Sequence, residues 1–178
     1  MMKRISAAIF VMFLAAMSLN ASTVKSDRVG FTVNEVSVAG GFYNDDYKNC
    51  PVIMASYLLG RHFNERLFAG VSAACTFATY YDGYWEKGER VYGSDFGIRL
   101  FLNGRYFFMR KSFSPYVGLD LGGATIPTHR GFLSPYAGCQ LGVRYLMKTH
   151  KIIGFCIEPG ISTKGYSEIL FKLSFEFN

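Results

Sequence analysis

Charge is scarce in this chain. Asp, Glu, Lys and Arg make up 18 % of the 178 residues, against about 25 % in a typical soluble domain, so something other than charge must cover the outside. Prolines number only 5, and the 19 glycines lie inside apolar alternating runs, as strands that curve or pack closely require, and not in flexible clusters. Beyond the N-terminus there is no run of 18 apolar residues and no sustained 3.6-residue period, which excludes a helical membrane protein. The net charge of +6 is scattered without any Lys/Arg block, so nucleic acid is not an expected partner. Cys50, Cys75, Cys139 and Cys156 are widely spaced; they form neither a CxxC pair nor a Cys/His metal pattern, and no disulfide is indicated. Cys75 and Cys139 fall within apolar faces and are read as small hydrophobes. No metal or cofactor is expected.

What is abundant is aromatic and apolar, with 17 % Phe, Trp and Tyr. The first residues place Lys3 and Arg4 ahead of an apolar run from Ile5 to Ala16, followed by a small and polar stretch ending at Ala21 and Ser22. That is the layout of a secretory signal peptide, too short for a spanning helix of roughly 20 apolar residues. Cleavage is expected after Ala21, with a cut after Ser18 as the alternative, and no Cys near either site points to a lipid-modified N-terminus. The expected organisation is a signal at 1–21 and one domain at 22–178. Without Lys3 and Arg4 the secreted chain carries 17 basic and 13 acidic residues, a net charge of +4.

The recurring period is two. In Ser167 to Phe177, Ile169, Phe171, Leu173, Phe175 and Phe177 alternate with Glu168, Lys172, Ser174 and Glu176, and only Leu170 breaks the polar set. Equally regular strands are predicted over 151–161, 134–147, 114–125 and 92–107, and less regular ones over 66–80, 51–63 and 31–43. Together they make eight, each long enough for a tilted membrane strand of roughly 9–11 residues. Short turns are predicted at 64–65, 110–113 and 148–150, and longer or more polar links at 44–49, 81–91, 126–133 and 162–166. With a periplasmic N-terminus this is the alternation of short inner turns and longer outer loops of an outer-membrane barrel. A weak repeat, SPYVGLDLGG at 114–123 and SPYAGCQLGV at 134–143, supports successive hairpin strands, with Ser-Pro at each strand start where a missing donor is tolerated.

Alternation alone leaves open whether the apolar face is a lipocalin-like interior or a lipid-facing exterior. The other face carries Glu35, Asp95, Arg99, Asp120, Arg144, Glu158, Glu168, Lys172 and Glu176, but also Gly97, Gly118, Gly122, Gly138, Gly142, Gly154 and Gly160. A soluble exterior has no need of so many glycines, whereas the lumen of an eight-stranded barrel has little room. Charges of both signs can neutralise one another there, and an unpaired one would be prohibitive. Aromatics near strand ends (Phe63, Phe77, Tyr106, Tyr145, Phe177) suit interfacial girdles. The fold class is therefore all-β: an eight-stranded antiparallel up-and-down transmembrane β-barrel. On these runs, the SPYxG strand starts and the aromatic last strand, the chain resembles the small eight-stranded outer-membrane barrels, such as the transmembrane domain of outer-membrane protein A and the opacity and porin-like barrels. The resemblance implies a bacterial outer-membrane location, lipid as a partner, and insertion by the barrel assembly machinery. That machinery reads a final aromatic residue, and here Asn178 follows Phe177.

Such barrels serve many roles. A lumen charge network of Glu35, Asp95, Arg99, Asp120, Arg144, Glu158 and Lys172 is expected, with Glu158 opposite residue 171 or 172 and ion-paired to Lys172, and with Arg144, Asp120 and Arg99 extending the pair. Tyr84 and Trp85, in the link holding the only Trp, are the candidate outer contact residues, since Trp and Tyr are frequent hot spots. A surface ligand or host protein reached through the outer links is the further partner expected. His62 and His150 lie near the inner ends and His129 in an outer link, with no His-x-Ser arrangement. A structural, adhesive or surface-interaction role is therefore expected, and no enzyme. The alternatives are a barrel enzyme acting on outer-leaflet lipid, and a soluble lipocalin-like binder.

Overall fold

The computed structural model describes residues 32–45, 48–86, 89–109, 113–125, 133–147, 151–163 and 167–177, with backbone alone for 45, 48, 80–86, 89–92, 95 and 133. The signal expected at 1–21 lies outside the described residues. Eight strands follow one another: β1 Thr32–Asp45, β2 Lys48–His62, β3 Leu67–Glu86, β4 Glu89–Phe107, β5 Phe113–Thr125, β6 Leu133–Leu146, β7 Ile152–Ser162 and β8 Ser167–Phe177. Each pairs antiparallel with its neighbour, and β1 closes on β8.

The registers set the shape. Asn34 pairs with Leu59, Leu59 with Val71, Val71 with Leu102, Leu102 with Leu121, Leu121 with Ala137, Ala137 with Ile161, Ile161 with Ser167 and Ser167 with Asn44. The circuit returns to β1 ten residues from its start. With a rise of about 3.3 Å per residue and about 4.8 Å between strands, that stagger tilts the strands by roughly 40°, inside the usual range for barrels.

The inner turns are built locally. Asn64 Oδ1 accepts hydrogen bonds from the backbone N–H of Arg66 (2.8 Å) and Leu67 (2.7 Å), an Asx turn that reverses β2 into β3. Between β4 and β5, Phe108 N–H donates to the Pro115 carbonyl (3.0 Å) and Ser114 Oγ to that of Met109 (2.6 Å). The predicted turn at 148–150 lies outside the described residues, bracketed by a hydrogen bond from Met147 N–H to the Lys151 carbonyl (2.8 Å).

The faces are inside out relative to a soluble barrel. Along β8, Ile169, Phe171 and Leu173 are exposed while Glu168, Leu170, Lys172 and Ser174 are buried; β7 shows the same alternation, with Ile153, Phe155, Ile157 and Ile161 outside. Ile53 and Leu102 are 65 % and 64 % exposed, whereas Glu158 and Gln140 are wholly buried. An apolar exterior continuous around every strand is far more than the few hundred Å² a soluble monomer tolerates, so the lipocalin-like reading fails. The lumen glycines make room for aromatic rings: a Cβ on Gly142 would lie 2.6 Å from Tyr116 Cζ, and one on Gly160 would overlap the Tyr136 hydroxyl.

The longest departure from the sequence reading is at the outer end. Of residues 81–91, read as a link, 81–86 and 89–91 continue as strand: β3 runs on to Glu86 and β4 starts at Glu89, with Tyr81 opposite Tyr92 and Trp85 opposite Arg90 across a shift in register. Charge and Gly83 suggested a loop, but aromatic residues favour strands, and a hairpin lets each strand satisfy the other's backbone. Pairing of β3 to β2 stops at Ala78, so the ribbon rises beyond the barrel wall. Leu173→Arg, on the exposed face, is expected to destabilise the barrel by about 2–4 kcal/mol if it meets the bilayer midplane, as read by urea unfolding in lipid vesicles.

Candidate functional site

Nine charged side chains are buried among the described residues: Glu35, Asp120, Glu158, Glu168, Glu176, Arg99, Arg105, Arg144 and Lys172. Inward positions recur every second residue, so each strand delivers its charges to the lumen at heights set by the stagger. They gather in three tiers.

In the middle tier Arg105 grips Glu35 with both terminal nitrogens, Nη1 to Oε2 and Nη2 to Oε1, the latter at 2.8 Å. β4 thereby reaches β1 across the lumen. The Arg105 Nε–H donates to Gln140 Oε1 (3.1 Å), and Gln140 Nε2 donates in turn to Asp120 Oδ2 (2.5 Å) and Glu158 Oε2 (3.3 Å). Gln140 is thus a relay between a cation and two carboxylates, with its amide orientation fixed by both ends. Asn103 Nδ2 donates to Asp120 Oδ1. Lys172 Nζ stands 2.5 Å from Glu158 Oε2 and 3.8 Å from Asp120 Oδ2. The Arg105 guanidinium also lies over the rings of Phe68 and Tyr116, 5.5 and 5.4 Å from their centroids.

The outer tier is Arg99 bound through both terminal nitrogens to Glu168, one contact at 2.8 Å, joining β4 to β8. Tyr136 lies 5.5 Å from the guanidinium and donates its hydroxyl to Glu158 Oε1 at 3.4 Å, linking this tier to the middle one. In the inner tier, towards the chain ends of the barrel, His62 Nε2 is 3.8 Å from Glu176 and 3.5 Å from Arg144, whose guanidinium sits 3.5 Å from the Phe107 ring centroid.

The expected residues divide accordingly. Glu35, Arg99, Asp120, Glu158 and Lys172 stand inside the two upper tiers. Arg144 lies not beside Asp120 but a tier below, against Phe107 and His62. The side chain of Asp95, and those of Tyr84 and Trp85 on the β3–β4 ribbon, lie outside the described residues, as does His129. The expected register is corrected: Glu158 faces Leu170, and Cys156 faces Lys172. The ion pair is therefore diagonal, spanned by the long lysine side chain, because Ile161 pairs with Ser167 and so centres the hairpin on position 164, earlier in the chain than the expected centre near Lys164 and Gly165. Sequence reasoning left Arg105, Glu168, Glu176, Gln140 and Asn103 out of the network. Their signal was there, since all five alternate with apolar neighbours on the inward face, but Arg105, Glu168 and Glu176 find their partners on strands that are not adjacent.

Among the described residues, five buried polar atoms have no hydrogen-bond partner: Thr76 Oγ1, Arg99 Nε, Asn103 Oδ1, Ser134 Oγ and Ser162 Oγ. Leaving such a group unmade and dry costs about 1–3 kcal/mol. Thr76, Arg99 and Ser162 share one cavity of about 40 Å³ beside the Arg99–Glu168 pair.

Lys172→Met is expected to cost about 3–5 kcal/mol, because it strands the Glu158 charge. Adding Glu158→Gln should recover part of that loss, measured as the interaction energy of a double-mutant cycle by urea unfolding; additive losses would show that the two do not interact.

No protein-family model matches this sequence, and no curated protein does. Among solved structures, the chain is similar to Neisserial surface protein A, at 12 % identity over 82 % of this chain and 95 % of that one, with a TM-score of 0.55. It is also similar to Ail, the attachment invasion locus protein of Yersinia pestis (15 % identity, 82 % and 97 % covered, TM-score 0.49). A further likeness is to the N-terminal β-barrel domain of Pseudomonas aeruginosa OprF (16 % identity, 82 % and 97 % covered, TM-score 0.47). The closed eight-strand sheet, its apolar exterior and its charged interior together give this chain the fold of the small eight-stranded outer-membrane β-barrels.

Proposed function

We propose that this protein is an outer-membrane barrel whose role is surface interaction: a closed, rigid stem in the bilayer that presents the β3–β4 ribbon outside the cell. The observation that carries the reading is the ribbon, which continues eight residues on β3, Thr79 to Glu86, past the last pairing with β2 at Ala78. Nothing in the barrel wall requires strands of 20 and 19 residues when roughly 9–11 cross a bilayer. The extra length carries Tyr80, Tyr81, Tyr84, Trp85 and Tyr92, the residue types that dominate contact hot spots.

The lumen supports a stem and not a diffusion pore. Arg105–Glu35 and Arg99–Glu168 each cross between non-adjacent strands, and an eight-stranded barrel has an interior that side chains fill, whereas aqueous channels take about 16 strands. Lipid and the barrel assembly machinery are the partners this reading needs for insertion, and a surface ligand or host protein is the partner at the ribbon.

An epitope inserted between Asp82 and Arg90 is expected to bind antibody on intact cells without loss of the folded barrel on unheated gels. Detection only after permeabilisation would place the ribbon on the periplasmic side and end this reading.

A further inference from the structure

The cavity at the outer end of the lumen is built from two kinds of wall. One is polar and unspent. Thr76 and Arg99 are 2 % and 7 % exposed, yet among the described residues Thr76 Oγ1 and Arg99 Nε have no partner, and neither has Ser162 Oγ. These three side chains come from β3, β4 and β7 and all border the same space. The other wall is apolar, formed by Val52, Ala78 and Ala124. The remaining two orphaned atoms, of Asn103 and Ser134, belong to residues that do not line it.

We propose that this cavity is a binding site for a small neutral polyol unit, glycerol-sized, such as the vicinal diol edge of a glycerol or sugar moiety. Charge argues for neutrality: both terminal nitrogens of Arg99 are engaged by Glu168, so the pair cancels, and an added ion of either sign would meet a like charge. What is left is one N–H donor and two hydroxyls, each hydroxyl able to donate or accept. The occupant must therefore accept at Arg99 Nε, exchange hydrogen bonds with Thr76 and Ser162, and lay carbon against Val52, Ala78 and Ala124. Adjacent hydroxyls on a short carbon chain do all three, whereas water meets only the first two demands. Size limits the occupant: a cavity of about 40 Å³ admits about three water-sized groups at roughly 10–15 Å³ each, enough for the diol edge of such a unit with the remainder directed outward.

The cavity lies towards the outer end of the lumen, where Ser162 and Glu168 flank the β7–β8 link and Thr125, also on the cavity wall, ends β5. The diol can belong to a membrane glycolipid or to a free polyol, and the two sources share the chemistry named here.

The test uses the full chain in lauryldimethylamine oxide, a detergent without sugar, with threonine methyl groups labelled for NMR. Thr125 reports on the cavity and Thr163, exposed beside it on the β7–β8 link, serves as the control. Titration with glycerol is expected to shift Thr125 saturably, 1,3-propanediol to do so more weakly, and Thr163 to move only linearly. Thr76→Val keeps shape and removes one unpartnered hydroxyl, so folding is preserved while glycerol affinity falls about tenfold, the worth of one good hydrogen bond; Ser162→Ala should act alike. Linear shifts of equal size at Thr125 and Thr163, or unchanged affinity in Thr76→Val, would mean that the cavity holds water only and would overturn the proposal. In lipid nanodiscs with lipopolysaccharide and no glycerol, a Thr125 shift to the saturated position assigns the diol to the glycolipid, and an unshifted Thr125 that still responds to added glycerol assigns it to a free polyol.

Discussion

The structure depends on hydrogen-bonded charge pairing across the lumen. Five carboxylates and four permanent cations are buried among the described residues, and burial of an ion costs several kcal/mol unless a partner with good geometry repays it. Arg105 on Glu35 and Arg99 on Glu168 meet that condition with two-point contacts, and Lys172 serves both Glu158 and Asp120. Gln140 supplies the amide protons that the two carboxylates still lack. Once the polar face is committed inward, the opposite face of every strand is apolar and exposed, and only a bilayer can cover it. Lipid-facing exterior and ionic interior are two sides of one alternation.

That alternation was legible in the sequence because it needs only a period of two. Ile169, Phe171 and Leu173 against Glu168, Lys172 and Ser174 declare both the strand and its faces without any tertiary information. Even Leu170, which interrupts the polar set, sits inward with its parity. Strand ends were less clear: Tyr81 to Val91 mixes aromatics, acids and Gly83, and local composition does not say whether a hairpin partner will arrive to pair it.

The network itself was only half legible, for a geometric reason. Parity tells which side chains enter the lumen, but their heights follow from the ten-residue stagger, and their partners from distances across the barrel. Arg105 meets Glu35 from three strands away, and Arg99 meets Glu168 from four. Pairing by sequence neighbourhood favoured Glu158 with Lys172, which adjoin on β7 and β8, and misplaced Arg144, whose depth put it by Phe107. A two-residue error in one hairpin register moves a side chain about 7 Å along its strand, from one tier to the next.

On the proposed surface-interaction reading, a stem locked from within would suit the ribbon it carries: a load at Thr79–Glu86 would pass to strands tied to one another through their centre. The most direct test of this inside-out, filled arrangement is accessibility of single nitroxide labels along β8 in lipid vesicles, at the uncharged positions 169, 170, 171, 173 and 174. The account predicts collisions with oxygen dissolved in lipid at 169, 171 and 173, and little contact with either oxygen or a water-soluble nickel reagent at 170 and 174. Strong nickel accessibility at 170 and 174 would reveal an open aqueous lumen, and nickel accessibility at 169, 171 and 173 would show that the apolar face does not meet lipid; either result would contradict it.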